Sequence, residues 1–108
     1  MTILYKFLNR DEDIYLTGAA ADILKHYGYD HQFFKLLEES GELIAAFMRA
    51  CNDQTKESSD HALEELADVT LVLEQIVGSL SAKEGRKLAE IVMAKADRQL
   101  KRIEEEKA

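Results

Sequence analysis

The chain has no proline and no tryptophan, and its 108 residues include only five glycines and one cysteine, Cys51. A single cysteine excludes an internal disulfide and a zinc site built from several thiolates. With so few helix-breaking residues, the long segments rich in alanine, leucine, glutamate and lysine favour helices. The length is that of one domain. We therefore predict a single all-α domain over residues 1–108.

Positive charge is also scarce, since 14 lysines and arginines face 21 acidic residues and give a net charge of −7. This balance disfavours a nucleic-acid polymer or an anionic membrane as the partner. No apolar run approaches the roughly 18–20 residues of a membrane span, and the N-terminus has no signal-peptide pattern. We expect a cytoplasmic protein with no membrane partner. A small anionic ligand would need a local basic patch or a cation.

Hydrophobic periodicity and capping residues predict four helices joined by short connections. We place them at about 13–27, 31–51, 59–78 and 82–105. Gly28 and Gly78 have the character of helix ends, Asp30 that of an N-cap, and a loop serine or Asp60 would cap the third helix. The segment SAKE at 81–84 matches a capping box. Long helices with short connections favour antiparallel neighbours in a four-helix bundle.

The segment KLLEESGEL, residues 35–43, places three glutamates inside a helix that is otherwise amphipathic. At 100° per residue, Glu39 and Glu42 stack on one face beside the apolar stripe, whereas Glu38 points further round the helix. We expect this stripe to face the core. Its members are Phe33, Leu36, Leu37, Ile44, Phe47, Met48 and Cys51.

The third helix repeats the pattern in the segment ELAD. Glu65 lies within the apolar face of this helix and Asp68 follows one turn later at its edge, while Glu64 and Glu74 are predicted to point towards solvent. Carboxylates on core-facing positions lose hydration and repel one another. Lysines or arginines, protons or a metal ion must compensate them. If the cation is a metal, oxygen-only ligands favour magnesium or manganese over zinc. A solvated acidic face paired with lysines is the competing interpretation.

The two acidic segments carry a resemblance to a known family. EESGE at 38–42 followed by ELAD at 65–68 resembles the EExxE…ExxD signature of the MazG-like, all-α nucleoside triphosphate pyrophosphatases. The similarity extends over roughly residues 20–105, including HQFFKLLEESGEL and ALEELADVTLVLEQIV. It implies magnesium-dependent cleavage of a nucleoside triphosphate into the monophosphate and pyrophosphate. It also implies a homodimer or dimer-based homotetramer with sites near subunit interfaces.

The resemblance also assigns roles to individual residues. It implies an outer-shell or water-activating role for Glu38, which is our catalytic candidate, and magnesium, with manganese possible, as the cofactor. The metal ligands that it implies are Glu39, Glu42, Glu65 and Asp68.

The fourth helix has a basic stripe beside its apolar row, in which Lys95 and Arg98 are candidate phosphate-binding residues. Pairing of these long side chains with nearby acids is the alternative. Four aromatic residues near the start of the second helix could stack on a base, although such residues are more often part of the core: Tyr27, Tyr29, Phe33 and Phe34. His61 could lie behind Glu65 or simply on the surface. Two further functions remain open, phosphoribosyl-ATP pyrophosphatase of the same superfamily and a non-catalytic acidic interaction module with exposed carboxylates.

Overall fold

A computed structural model describes residues 1–108 and contains helices but no strand, which confirms the all-α class. A short 3₁₀ turn precedes four α-helices. The elements are the turn Tyr5–Phe7, α1 Arg10–Tyr27, α2 Tyr29–Asp53, α3 Lys56–Gly78 and α4 Ala82–Lys107. None of the four helices combines the length and apolar character that a membrane span requires.

Capping boxes set the starts of α1 and α4. The Asn9 side chain accepts a hydrogen bond from the Glu12 amide at 2.8 Å, and the Glu12 carboxylate accepts one from the Asn9 amide at 3.0 Å. This reciprocal pair satisfies two free N–H groups and moves the start of α1 ahead of the predicted position. The predicted box at α4 is confirmed, with Ser81 and Glu84 bonded in the same way.

The starts of α2 and α3 differ from the prediction. Helix α2 begins at Tyr29, directly after Gly28 with its φ of 85°, so Asp30 lies inside the helix and does not cap it. A glycine at positive φ reverses the chain without a loop, and no capping side chain is used. Helix α3 begins at Lys56 because the Thr55 hydroxyl accepts from the Ser58 amide at 3.2 Å. The predicted cap from a loop serine or Asp60 is therefore wrong.

Only three of the helices pack together within one chain. Helices α2 and α3 form an antiparallel hairpin, α1 packs mainly on α3, and α4 packs along none of the others. No residue of α4 is buried. The sequence predicts a bundle of four helices, whereas within a single chain only α1, α2 and α3 pack together.

The interior of the hairpin is lined by small and polar side chains. Helix α2 buries Gln32, Glu39 and Ala46, which lie two turns apart, against a row on α3 that includes Ala62 and Val69. Small residues allow the two backbones to approach closely. The predicted core stripe of α2 instead lies mainly on the outside of the hairpin, so its core-facing assignment is wrong within one chain. Its exposed members include Phe33, Leu37, Ile44, Phe47 and Met48.

The first residues of the chain are fastened to α1 and α3. The Thr2 amide and hydroxyl both donate to the Asp13 carboxylate, at 2.8 and 2.7 Å. The Ile3 amide donates to Glu74, which is buried. The prediction that Glu74 points towards solvent is wrong because this backbone N–H compensates the buried carboxylate.

Candidate metal centre

Three carboxylates meet across the α2–α3 hairpin. Each of Glu39, Glu42 and Glu65 offers one oxygen, and these three oxygens lie within 4.8 Å of one another. This separation is comparable with the span across a divalent ion whose oxygen ligands lie at about 2.0–2.6 Å. The antiparallel pairing positions Glu65 opposite the middle of α2, so residues that are distant in sequence form one cluster.

Glu39 is the most buried member of the cluster, with 6% of its surface exposed. Its Oε1 atom lies 3.2 Å from Lys35 Nζ, whereas Oε2 is buried and has no hydrogen-bond partner. Burial raises the pKa of Glu39 above its ordinary 4.5, and the charges of Glu42 and Asp68 add to the increase while Lys35 opposes it. One half of this carboxylate is therefore compensated and the other half is not.

Glu65 shows the same imbalance on α3. Its side chain is 14% exposed, and its Oε1 atom lies 3.7 Å from His61 Nε2. Its Oε2 atom is buried without a partner. Helices α2 and α3 thus each contribute one buried carboxylate oxygen without a partner, and both residues belong to the same three-carboxylate cluster.

Glu42 and Asp68 lie at the exposed side of the cluster. Glu42 completes the three oxygens described above, whereas Asp68 does not belong to that set. Asp68 nevertheless lines the same groove as Glu39, and its charge contributes to the raised pKa of that residue. The structure therefore brings three of the four predicted ligands together and places the fourth at the margin.

Glu38, the catalytic candidate, points away from the three-carboxylate cluster. Its side chain is 59% exposed and forms an ion pair with Lys35 at 3.3 Å. Lys35 was not singled out from the sequence, although it lies four residues before Glu39, a spacing that favours an ion pair on a helix. Hydrogen bonds to Glu39 and then Glu38 raise the pKa of Lys35.

Lys95 and Arg98 are not brought to the cluster within one chain. Both are exposed on α4, neither lies within 4.0 Å of a carboxylate, and neither lines the groove beside Glu39. The projection of α4 away from the other helices is the reason.

The residues present fit a hard divalent cation. All the donors are carboxylate oxygens, which magnesium and manganese prefer, and the single lysine at the cluster reaches only one of the two buried carboxylates. A cation bound by this cluster would compensate the negative charges of Glu39 and Glu65, whose hydrogen bonds and ion pairs leave one oxygen of each without a partner.

Comparison of the chain with protein-family models, curated proteins and solved structures finds no match.

Proposed function

We propose that the protein is a magnesium-dependent pyrophosphohydrolase that cleaves a nucleoside triphosphate between its α and β phosphates. The observation that supports this proposal is that Glu39 and Glu65, two members of the three-carboxylate cluster, each have a buried oxygen without a hydrogen-bond partner. Such an arrangement stabilises no folded chain by itself, because two desolvated anions repel. Cation binding would account for this arrangement of carboxylates.

The chemistry assigned to the cluster needs little covalent participation by the protein. Glu39, Glu42 and Glu65, with Asp68 at the margin, would hold the ion. Magnesium, when bound, neutralises phosphate charge and orients the phosphoanhydride for attack by water. Glu38 remains the candidate for a water-activating or outer-shell role. Lys35, fixed between Glu38 and Glu39, supplies the one positive side chain at the edge of the cluster.

The proposed enzyme acts as a homo-oligomer, at least a dimer. A single chain exposes 8574 Å², about 2,500 Å² more than a compact protein of 12.3 kDa is expected to expose. The excess is of the size that stable subunit interfaces cover. Much of the exposed surface belongs to large apolar side chains of α2 and α4, including Phe47 and Met48 on α2 and Val92 and Ile103 on α4. A second copy is the occupant with matching surfaces, since both apolar faces occur on every chain.

The same assembly offers a role for the basic residues of α4. Lys95 and Arg98 flank the apolar row of that helix, so an α4 that packs on a partner subunit carries both charges to the partner's surface. We propose that they meet the phosphates of the substrate there. The excess of acid at the cluster is complementary to a cationic contribution from another chain.

A product assay tests the function directly. Canonical nucleoside triphosphates and phosphoribosyl-ATP are incubated with the protein and magnesium, and products are resolved as monophosphate plus pyrophosphate or diphosphate plus phosphate. We expect monophosphate and pyrophosphate, loss of turnover in excess chelator, and recovery with magnesium or manganese. Turnover that persists in excess chelator contradicts the metal mechanism, and phosphate as the product contradicts the assigned bond. Cleavage of phosphoribosyl-ATP alone selects the alternative enzyme of the same superfamily.

A non-catalytic acidic module is the competing function. It requires carboxylates on exposed faces that can reach a basic partner, and the burial of Glu39 is unfavourable for such a contact. Absence of turnover with every nucleotide, together with magnesium-independent stability, would favour this module.

A further inference from the structure

A groove of about 320 Å³ lies between α1, α2 and α3, next to the carboxylate cluster. Its polar and charged lining residues are Tyr27, His31, Gln32, Lys35, Gln75, Glu39 and Asp68, of which the last two also adjoin the cluster. Its volume is at the lower end of the range for small-molecule sites, which suits one planar ring and part of a sugar.

A relay of hydrogen bonds fixes the polarity of the side chains in this groove. The Gln75 amide nitrogen donates to the Leu71 carbonyl at 3.2 Å. The Gln75 oxygen accepts from the Gln32 amide nitrogen at 2.7 Å, and the Gln32 oxygen lies 2.7 Å from His31 Nδ1. A backbone carbonyl can only accept, so the Gln75 nitrogen must face Leu71 and its oxygen must face Gln32. The Gln32 nitrogen then faces Gln75, and the Gln32 oxygen faces His31. The proton of the neutral imidazole must therefore lie on Nδ1 of His31.

With its Nδ1 atom bound to Gln32, the neutral His31 ring has one remaining hydrogen-bond acceptor, Nε2. Gln32 and Gln75 are both buried, at 4% and 2% exposure, so the end of the relay that holds Nδ1 is rigid. The Tyr27 ring stacks on the imidazole, with centroids 4.6 Å apart and planes at 16°. Nε2, across the ring from Nδ1, keeps a free lone pair in the neutral imidazole, and His31 lines the groove. In the neutral tautomer, an acceptor in this position suits a ligand that presents an exocyclic amino group.

We propose that the groove binds the nucleobase of the substrate, and that His31 Nε2 accepts a hydrogen bond from the amino group of cytosine or adenine. This inference rests on the proposed function, because the phosphates of the same molecule would then lie at the carboxylate cluster. Uracil and thymine present a carbonyl oxygen where cytosine has its amino group, and two acceptors facing one another repel. We therefore expect the groove to prefer cytosine or adenine to uracil and thymine.

The inference is tested without metal and without hydrolysis. Cytidine, adenosine and uridine are titrated into the protein in excess chelator, and binding is followed by NMR. We expect cytidine or adenosine to bind about five- to tenfold more tightly than uridine, the value of one neutral hydrogen bond. His31→Phe keeps a ring beside Tyr27 but removes Nε2, so it should abolish this preference. His26→Phe is the matched control because His26 does not line the groove, and it should retain the preference.

A second measurement uses the parent protein alone and does not depend on how a variant folds. The ¹⁵N shifts of His31 should show the proton on Nδ1, and the Nε2 resonance should move on addition of cytidine but not of uridine. Equal binding of the three nucleosides, binding of none, or a proton on Nε2 overturns the inference. If the protein cleaves nucleotides but shows no preference for cytidine or adenosine over uridine, the assignment of the groove to the base is wrong and the proposed function stands. If the protein prefers cytidine or adenosine to uridine but cleaves no nucleotide, the proposed function is wrong and the groove assignment stands.

Discussion

At the scale of single residues, the charges and hydrogen bonds around Glu39 and Glu65 distinguish a metal-binding role from a structural one. Glu39 has a cation on one oxygen and nothing on the other, and Glu65 has only His61 at 3.7 Å. A structural ion pair would satisfy both oxygens of each carboxylate. The unsatisfied oxygens therefore set up a test in which the sign of a stability change distinguishes a metal ligand from a structural residue.

Glu65→Gln removes one negative charge at almost constant shape. Without metal, the variant should be as stable as the parent or more stable by about 1 kcal/mol, because repulsion between the like charges of the cluster falls. Magnesium should raise the melting temperature of the parent and have little effect on the variant. Thermal melts with magnesium and with chelator measure both effects.

Glu64→Gln is the matched control for that change, since the Glu64 side chain is 79% exposed on the neighbouring position. It should leave the response to magnesium intact. Loss of stability in Glu65→Gln with and without metal, accompanied by an equal magnesium response in both proteins, would instead make Glu65 a structural ion-pair partner.

The raised pKa of Glu39 predicts how stability depends on pH in the absence of metal. A carboxyl group with a raised pKa in the folded state binds its proton more tightly there than in the unfolded chain. The contribution of Glu39 to the free energy of unfolding is then largest below the unfolded value of about 4.5 and falls as pH rises through the folded pKa. Glu39→Gln lacks this loss, so its melting temperature relative to the parent should increase over that window.

Two other carboxylates with shifted pKa values act in a different pH range. Hydrogen bonds from Thr2 lower the pKa of Asp13, and those from Ser81 lower that of Glu84. Their stabilising contributions are lost as pH falls through these lowered values, which lie below the window of Glu39. Melts in chelator at several pH values above about 4.5 therefore isolate Glu39. A constant difference between Glu39→Gln and the parent across that range would show that burial does not shift its titration.

At the scale of secondary-structure elements, α4 is the one α-helix that packs along none of the others in its own chain. Its 26 residues bury no side chain, yet they carry an apolar row with basic residues along one edge. An isolated helix of this length gains only modest stability from its own capping box and from ion pairs such as Arg86 with Glu90. Packing against another surface is expected to contribute the larger part.

Val92→Glu tests whether that surface belongs to a second copy. A glutamate in the apolar row would lose its hydration on burial, so we expect the dimer to dissociate at concentrations at which the parent remains associated, and the melting temperature to fall. Light scattering gives the mass. Lys101→Glu adds the same side chain nine residues later, on the opposite side of the helix, and should leave the mass unchanged. Identical masses for both variants and the parent would exclude this face from the interface.

At the scale of the whole molecule, the single chain is more extended than a compact domain of its length. Its radius of gyration is 16.8 Å, whereas a compact domain of 108 residues is expected to have one of about 13 Å. The projecting α4 and the exposed apolar side of α2 both contribute to this difference. The proposed assembly of two chains would cover these surfaces and would join the acidic cluster of one subunit to the basic stripe of the other.

Subunit mixing tests whether a site is shared between chains. Glu65→Gln and Arg98→Ala are each expected to lose activity. If Arg98 acts on the partner's cluster, a mixed dimer has one intact site, so equal mixing should restore about a quarter of the parent turnover. If Arg98 acts within its own chain, no mixed dimer has an intact site and activity stays at the level of the separate variants. Full activity of Arg98→Ala alone would remove this residue from the site.

The sequence by itself determined the helical class, the end of α3 at Gly78 and the capping box at Ser81, because propensity and capping act over a few residues. It also indicated Glu65 as a carboxylate on an inward face, since helical periodicity fixes which residues share a side. It did not determine which side of α2 would be covered. Both sides of that helix offered a consistent row, and the tertiary structure buried the small and polar one.

Only the tertiary structure decided the contacts between residues that are distant in the chain. Pairing of α2 with α3 brought Glu39 to Glu65 and Gln32 to Gln75, and the return of the N-terminal segment onto α3 buried Glu74. Local patterns contain no information on which helices become neighbours or in what register. The two unpaired carboxylate oxygens follow from that register, because each glutamate alone would have turned its charge to water.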